Sequence, residues 1–161
     1  MDVLYSPWRY GYIKGERPEG DTACIFCELV QNPARDEENF ILKRAEFNFV
    51  VLNIFPYAAG HLLIIPYDHV DLLDKANDPT TAEMMALTKR AQAALTQAYS
   101  PEGFNIGMNL GRSAGAGIAT HLHMHILPRW SGDVNFMTSI GETRNIPEAL
   151  MVTYEKLLGK F

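Results

Sequence analysis

Positive charge is scarce in this chain: 14 Lys and Arg stand against 19 Asp and Glu, for a formal net charge of −5. A surface that binds nucleic acid broadly needs many cations to neutralise phosphates, so that class of function is excluded. Any anionic ligand must be met locally, by a few placed donors. Long apolar runs are also missing. The longest, such as Leu62-Leu63-Ile64-Ile65, fall far short of the roughly 20 residues that a bilayer span requires. The first residues, Met1 to Trp8, lack a basic start followed by an apolar run, so no secretory signal is visible and a cytoplasmic location is expected. Cysteine is limited to Cys24 and Cys27, both in one Cys-x-x-Cys. Two cysteines are too few for a disulfide framework, and a reducing cytosol disfavours even one bridge.

What remains is an ordinary globular composition, 47% apolar and 20% charged over 161 residues. That length suits a single domain, 1–161, with enough apolar residues to bury a core. Residues 1–22, rich in Tyr, Trp, Gly and Pro, read as an irregular arm. A turn opening into a short helix is predicted around Cys24. The aromatic and β-branched runs Phe40–Arg44 and Phe47–Leu52 predict strands, and His61–Pro66, apolar on both faces, predicts a central one. Apolar residues at Met84, Met85, Leu87, Ala91, Ala94 and Leu95 have helical spacing and predict a helix over Thr80–Tyr99. Phe104–Asn109 and Thr120–Pro128 predict two further strands around a glycine-rich loop, 111–117, and a closing helix is predicted over Pro147–Gly159. Most connections are too short for parallel crossovers, so the expected class is α+β with a mostly antiparallel sheet.

Three of the five histidines fall at His121, His123 and His125. Successive side chains of a strand point to opposite faces, so these three share one face while Leu122, Met124 and Ile126 turn to the core. A solvent-facing strand would more commonly carry Thr or Lys. Two chemical uses remain: a metal site, or a phosphoryl or nucleotidyl transfer site in which a neutral imidazole attacks phosphorus.

The run His121-Leu122-His123-Met124-His125-Ile126-Leu127 resembles the signature of the histidine triad superfamily. The flanks Asn109–Gly117 and Pro128–Met137, and the opening Leu4–Arg9, are similar to one branch, the bacterial diadenosine tetraphosphate phosphorylases, also called ATP adenylyltransferases. This resemblance implies that His123 is the nucleophile, forming a covalent nucleotidyl-histidine. It implies that His125 binds a phosphate oxygen, that Asn109 contacts the α-phosphate or bridging oxygen, and that Asn53 holds the ribose hydroxyls. Some members carry a hydroxyl or amide four residues before the first histidine. Gly117 stands there in this chain, so that contact falls to its backbone N–H or to Ser113. Arg112, in the glycine loop, is the first candidate for a cation on the polyphosphate. Trp130 and Phe136 are candidates for stacking on a second base or for packing a dimer.

Cys24 and Cys27 make a zinc half-site, or are simply two small buried side chains. Two imidazoles would complete a tetrahedral zinc site, and the resemblance nominates His69 and His121. With four protein ligands the zinc would be structural, and His121 would then be withdrawn from substrate. His61 reads as a structural histidine able to brace the triad. The resemblance implies a homodimer, no organic cofactor, and phosphorolysis of diadenosine tetraphosphate by inorganic phosphate. Hydrolysis of dinucleoside polyphosphates or nucleoside phosphoramidates, and a non-catalytic nucleotide-binding module, are the alternatives.

Overall fold

The structure is a computed structural model that describes residues 24–133 and 146–161. The expected N-terminal arm (1–22) and Phe136 lie outside the described residues. Five strands form one antiparallel sheet: β1 (Ile41–Arg44), β2 (Asn48–Leu52), β3 (Leu62–Pro66), β4 (Gly103–Gly107) and β5 (Met124–Arg129), in the order β1-β2-β3-β5-β4. Helix α1 (Ile25–Leu29) precedes the sheet, α2 (Asp78–Tyr99) links β3 to β4, and α3 (Leu150–Leu157) follows β5. The expected α+β class with an antiparallel sheet is what the chain adopts.

Alternation along the strands divides the core in two. Val50, Leu52, Leu62, Ile64, Leu122, Met124 and Ile126 pack with Met84, Leu87, Ala91 and Leu95 of α2 and Leu157 of α3. Phe49, Val51, Leu63 and Ile65 face the opposite way and pack with Phe26 of α1. The central strand β3 is therefore buried along its full length, as expected for a strand apolar on both faces. Helix α2 begins where the Asn77 side chain accepts the Thr80 N–H at 2.8 Å, with Pro79 in the first turn. Its buried stripe includes Thr80 and Thr88 and omits Met85, which is 53% exposed. Met85 follows Met84 by about 100° of helical rotation, which carries it off the core-facing side.

One carboxylate ties α2 to the β1–β2 hairpin. Glu83 accepts the backbone N–H groups of Glu46, Phe47 and Asn48 and the Asn48 side-chain amide, each at 2.9 Å. Burial pushes its pKa up, but these hydrogen bonds outweigh burial and hold it below the ordinary glutamate value. The folded state then binds fewer protons than the unfolded chain near pH 4, so this contribution is complete above the unfolded pKa and is lost as pH falls through the folded one. Glu83→Gln presents an NH₂ to N–H donors and is expected to cost about 2–4 kcal/mol. Urea unfolding at pH 7 measures it, and the deficit shrinks below pH 4.

The predicted strand over Thr120–Pro128 starts late. Pairing with β3 runs from Leu62↔Ile126 to Ile64↔Met124. Continuing that register sets Leu122 opposite Pro66, which has no N–H to give, so the ladder stops at Met124. The Leu122 N–H instead donates to the Val70 carbonyl at 2.6 Å. His121, at a bend, and His123 thus lie in a lead-in to β5, and only His125 is in the strand. The other expected elements differ at their ends, with β4 ending at Gly107 and α3 spanning Leu150–Leu157. Side-chain alternation survives the lead-in, with Leu122, Met124 and Ile126 in the helix-facing core.

Candidate active site and metal cluster

Phe26 sits edge-on to both His121 and His123, with ring centroids 5.5 and 5.2 Å away. His123 and His125 are adjacent rings at 4.9 Å. Beside them opens a cavity of about 240 Å³, walled by α1, the second sheet face and the glycine loop. His123, His125, Asn53, Asn109 and Gly117 all line it. Asn109 arrives there by register: Gly107 pairs with His125, and two residues further along the chain lies Asn109, on the side of His123.

The hydrogen bonds assign a tautomer to His61, His121, His123 and His125. His123 is 6% exposed, and its Nδ1–H donates to the His121 carbonyl at 2.8 Å. Its Nε2 is then the unprotonated nitrogen. Burial pushes the His123 pKa down, and the bond to the His121 carbonyl opposes it more weakly. The ring is therefore neutral near pH 7 with a lone pair on Nε2, the state a nitrogen nucleophile requires.

His61 is 1% exposed, and its Nδ1 accepts the Tyr57 backbone N–H at 3.1 Å. The proton of neutral His61 is therefore on Nε2, which lies 2.9 Å from Nδ1 of His125. His125 accepts there and so carries its own proton on Nε2, as a donor suited to a phosphate oxygen. Two adjacent imidazoles are thus set as opposite tools, one lone pair and one N–H. Asn53 approaches the same group, with its Nδ2 3.3 Å from His61 Nδ1 and its Oδ1 accepting the Phe55 N–H at 3.0 Å.

Immediately before His61, Gly60 has φ +78°, and a Cβ there would lie 2.8 Å from Leu95 Cδ2 and 3.3 Å from Pro128 Cγ. Gly60→Ala combines left-handed backbone strain with that clash. It is expected to destabilise the fold by about 1–3 kcal/mol, read as a lowered midpoint in thermal or urea unfolding.

His121 has a different assignment. Its Nε2–H donates to the Pro66 carbonyl at 2.9 Å, leaving Nδ1 as a lone pair 3.2 Å from Cys24 Sγ and 3.6 Å from Cys27 Sγ. His69 Nδ1 stands 3.3 Å from Cys27 Sγ. The four ligand atoms lie within 4.8 Å of one another, a spacing that suits a tetrahedral S₂N₂ site. Burial, then the neighbouring Cys24, push the Cys27 thiol up, so a bound cation is what would hold the Cys27 sulfur as a thiolate. Cys24, Cys27, His69 and His121 can therefore bind a metal ion. His121 does not line the cavity. Of the two uses expected for it, catalytic and metal-binding, its side chain is placed for the second.

Other expected contacts are placed elsewhere. Arg112 and Ser113 lie on an exposed 3₁₀ turn, Arg112–Ala114, and neither lines the cavity. Trp130 packs edge-on to Tyr99, 6.4 Å between centroids. Conversely, Phe26, Asn39 and Tyr57 contribute to the site without having stood out in the sequence. The only available signal was the run Ile25-Phe26, apolar residues held between two cysteines.

The chain is similar to known proteins over most of its length. The HIT domain family matches residues 34–132, and the chain belongs to that family, the histidine triad proteins. It is 39% identical over 159 residues to AP-4-A phosphorylase of Mycobacterium tuberculosis, an alignment covering 95% of this chain and 80% of that protein. An adenosine 5′-monophosphoramidase of Schizosaccharomyces pombe is 32% identical over 107 residues, covering 66% of this chain and 74% of its own. Among solved structures, a Zn-bound histidine triad family protein from Mycobacterium smegmatis superposes with a TM-score of 0.68 at 28% identity, covering 86% of this chain and 92% of that one.

Proposed function

We propose that this protein transfers a nucleotidyl group from the α-phosphorus of a dinucleoside polyphosphate, by way of His123, to inorganic phosphate. With diadenosine tetraphosphate the products are ATP and ADP. The observation that carries this reading is the neutral, buried His123, with its lone pair on the nitrogen beside a cavity that also offers Asn53, Asn109 and the donor nitrogen of His125. The similarity to AP-4-A phosphorylase favours this substrate and acceptor.

His123 Nε2 attacks the α-phosphorus, forming an N–P bond as the P–O bond to the polyphosphate breaks and ATP departs. His125 Nε2–H donates to a phosphate oxygen as charge builds there, and Asn109 steadies the same phosphate. Asn53, whose amide donates and accepts at once, holds the ribose hydroxyls. An oxygen of inorganic phosphate then attacks the nucleotidyl-histidine. The N–P bond breaks, ADP leaves and His123 is regenerated. Splitting the displacement in two lets one preorganised site serve both halves.

Zinc is the ion we assign to Cys24, Cys27, His69 and His121, supported by the S₂N₂ donor set and the zinc-bound relative. Held by these four side chains it would supply cross-linking and not a catalytic Lewis acid. His61 is a positioning residue in this scheme. His61→Phe removes the proton donor to His125 Nδ1 and frees His125 to take the wrong tautomer. Its expected effect is a fall in kcat of roughly 10²–10³-fold with a much smaller change in KM, the pattern of a lost transition-state interaction.

The reaction is tested by incubating the protein with diadenosine tetraphosphate, with and without inorganic phosphate, and separating the nucleotides. ADP and ATP forming only with phosphate support phosphorolysis. AMP and ATP forming regardless of phosphate make the protein a hydrolase on the same histidine. Adenine-nucleotide binding with no product defines a binding module instead.

A further inference from the structure

The cavity extends away from the histidines along α1. Phe26 touches His123, and Leu29 lies three residues on, about 4.5 Å further along the helix. Ile25, Phe26, Leu29, Val51, Leu63 and Ile118 make this part of the wall apolar, as a slot for a flat base needs to be. Asn39 stands at its far end. Leu29 is the last residue of α1, so its carbonyl has no partner within the helix. Asn39 Nδ2 supplies one, donating at 3.3 Å.

That bond fixes which way the amide faces. One N–H is spent on Leu29, while the second N–H and Oδ1 remain on a half-buried side chain that lines the cavity. The backbone holds the group in place: the Asn39 N–H donates to the Arg35 carbonyl at 2.9 Å, and Phe40 follows with φ +56°, a constrained left-handed residue. The neighbouring Glu38 also borders the cavity, but its side chain is 66% exposed and its carboxylate is paired with Arg35 at 2.8 Å. Among the described residues no Lys or Arg lines the cavity. Guanine's O6 and N7 are both acceptors and are usually read by a cation, whereas an amide matches the adjacent donor and acceptor of adenine, N6–H with a ring nitrogen.

We propose that Asn39 is the specificity-determining residue for the base, and that it selects adenine by accepting from the N6 amine and donating to a ring nitrogen. This rests on the nucleotide-binding reading of the site above and adds to it the residue that reads the base. Asn39 also caps α1, so loss of affinity alone would not separate reading the base from holding the helix. The ratio between ligands does.

Calorimetric titration with AMP, IMP, GMP and purine riboside 5′-monophosphate, which lacks the N6 amine, is the test. The wild type is expected to prefer AMP over each of the others by roughly tenfold to a hundredfold, the value of a good bidentate pair. Asn39→Leu is expected to bring AMP and purine riboside 5′-monophosphate to within about twofold of each other. Asn39→Asp keeps the acceptor and loses both N–H donors, so it should retain only part of the AMP preference. If the Leu variant does not fold, the wild type's discrimination between AMP and the amine-less analogue, with the Asp variant, decides the matter. An AMP preference unchanged in either variant, or absent from the wild type, overturns the role of Asn39 and leaves the nucleotide reading standing. A wild type that binds none of the four nucleotides overturns both.

Discussion

His123→Asn is expected to lower turnover of diadenosine tetraphosphate by at least about 10⁴-fold while leaving affinity for adenine nucleotides within a few-fold of the wild type. The two halves of this result have separate causes. In the proposed mechanism turnover depends on the lone pair at Nε2, which the His121 carbonyl secures by accepting from the Nδ1–H at 2.8 Å. An amide has no such lone pair, so the covalent route closes, and removing a nucleophile that acts as one unit with its neighbours typically costs several orders of magnitude. In the proposed reading, affinity depends on surfaces that the substitution leaves alone: the apolar slot formed with α1, Asn53 as the proposed ribose contact and the donor nitrogen of His125. Steady-state product formation measures the first and calorimetric titration with AMP the second. A variant that kept turnover within tenfold of the wild type would remove His123 from the reaction. A variant that lost binding and turnover together would make His123 a structural residue of the cavity.

Loss of the metal is expected to have the second largest effect, and to fall on stability, kcat and KM at once. Purified protein should carry about one zinc per chain, and Cys24→Ser should abolish it. The cluster joins α1, through Cys24 and Cys27, to the loop after β3, through His69, and to the lead-in of β5, through His121. Helix α1 is only five residues long, too short to be stable without tertiary anchoring, and it carries Ile25, Phe26 and Leu29 of the cavity wall. Loosening it raises KM. His121 gives its carbonyl to His123 and its side chain to the cluster, so loosening it is expected to lower kcat as His123, the proposed nucleophile, loses its fixed tautomer. Changes at groups that orient metal ligands commonly alter activity 10–100-fold, and a similar loss is expected in kcat. Structural metal contributes folding free energy directly. For a domain of this size a loss of about 3 kcal/mol corresponds to roughly 6–12 °C in Tm. Metal analysis, a thermal melt and Michaelis kinetics on Cys24→Ser check all three. A zinc-free variant with unchanged Tm and unchanged kinetics would reduce the cluster to four neighbouring side chains.

Much of this arrangement is legible in the residues themselves. The paired runs Phe47–Leu52 and His61–Pro66, and the helical spacing from Met84 to Leu95, point to a buried antiparallel sheet backed by a long helix. The alternation at His121, His123 and His125 predicts three imidazoles on one face, and the complementary set Leu122, Met124 and Ile126 still shares one core where the ladder does not continue. What the residues do not display are consequences of register and of hydrogen bonds between distant segments. The strand begins at Met124 because Pro66 falls opposite Leu122, a pairing known only once β3 and β5 are aligned. The division of labour among the histidines depends on which nitrogen each one spends: His121 on the Pro66 carbonyl, His123 on the His121 carbonyl, His61 on the Tyr57 N–H. Asn39 is an unremarkable residue in a polar stretch until α1 folds and its final carbonyl needs a donor. Arg112, beside the glycines in sequence, is carried to an exposed turn by the loop's own curvature, with Gly111 and Gly115 both at positive φ.

If His123 carries the nucleotidyl group between the two halves of the reaction, the mass of the protein itself reveals it. Wild-type protein is mixed with diadenosine tetraphosphate in phosphate-free buffer, quenched in alkali, where a phosphoramidate survives, digested and sequenced by mass spectrometry. The expected result is one adenylyl group on the peptide containing His123, matched by released ATP, discharged as ADP when phosphate is added, and missing from His123→Asn. Product formation with no adenylylated peptide at any time point, or an adenylyl group on a different residue, would remove His123 from the nucleophile's role.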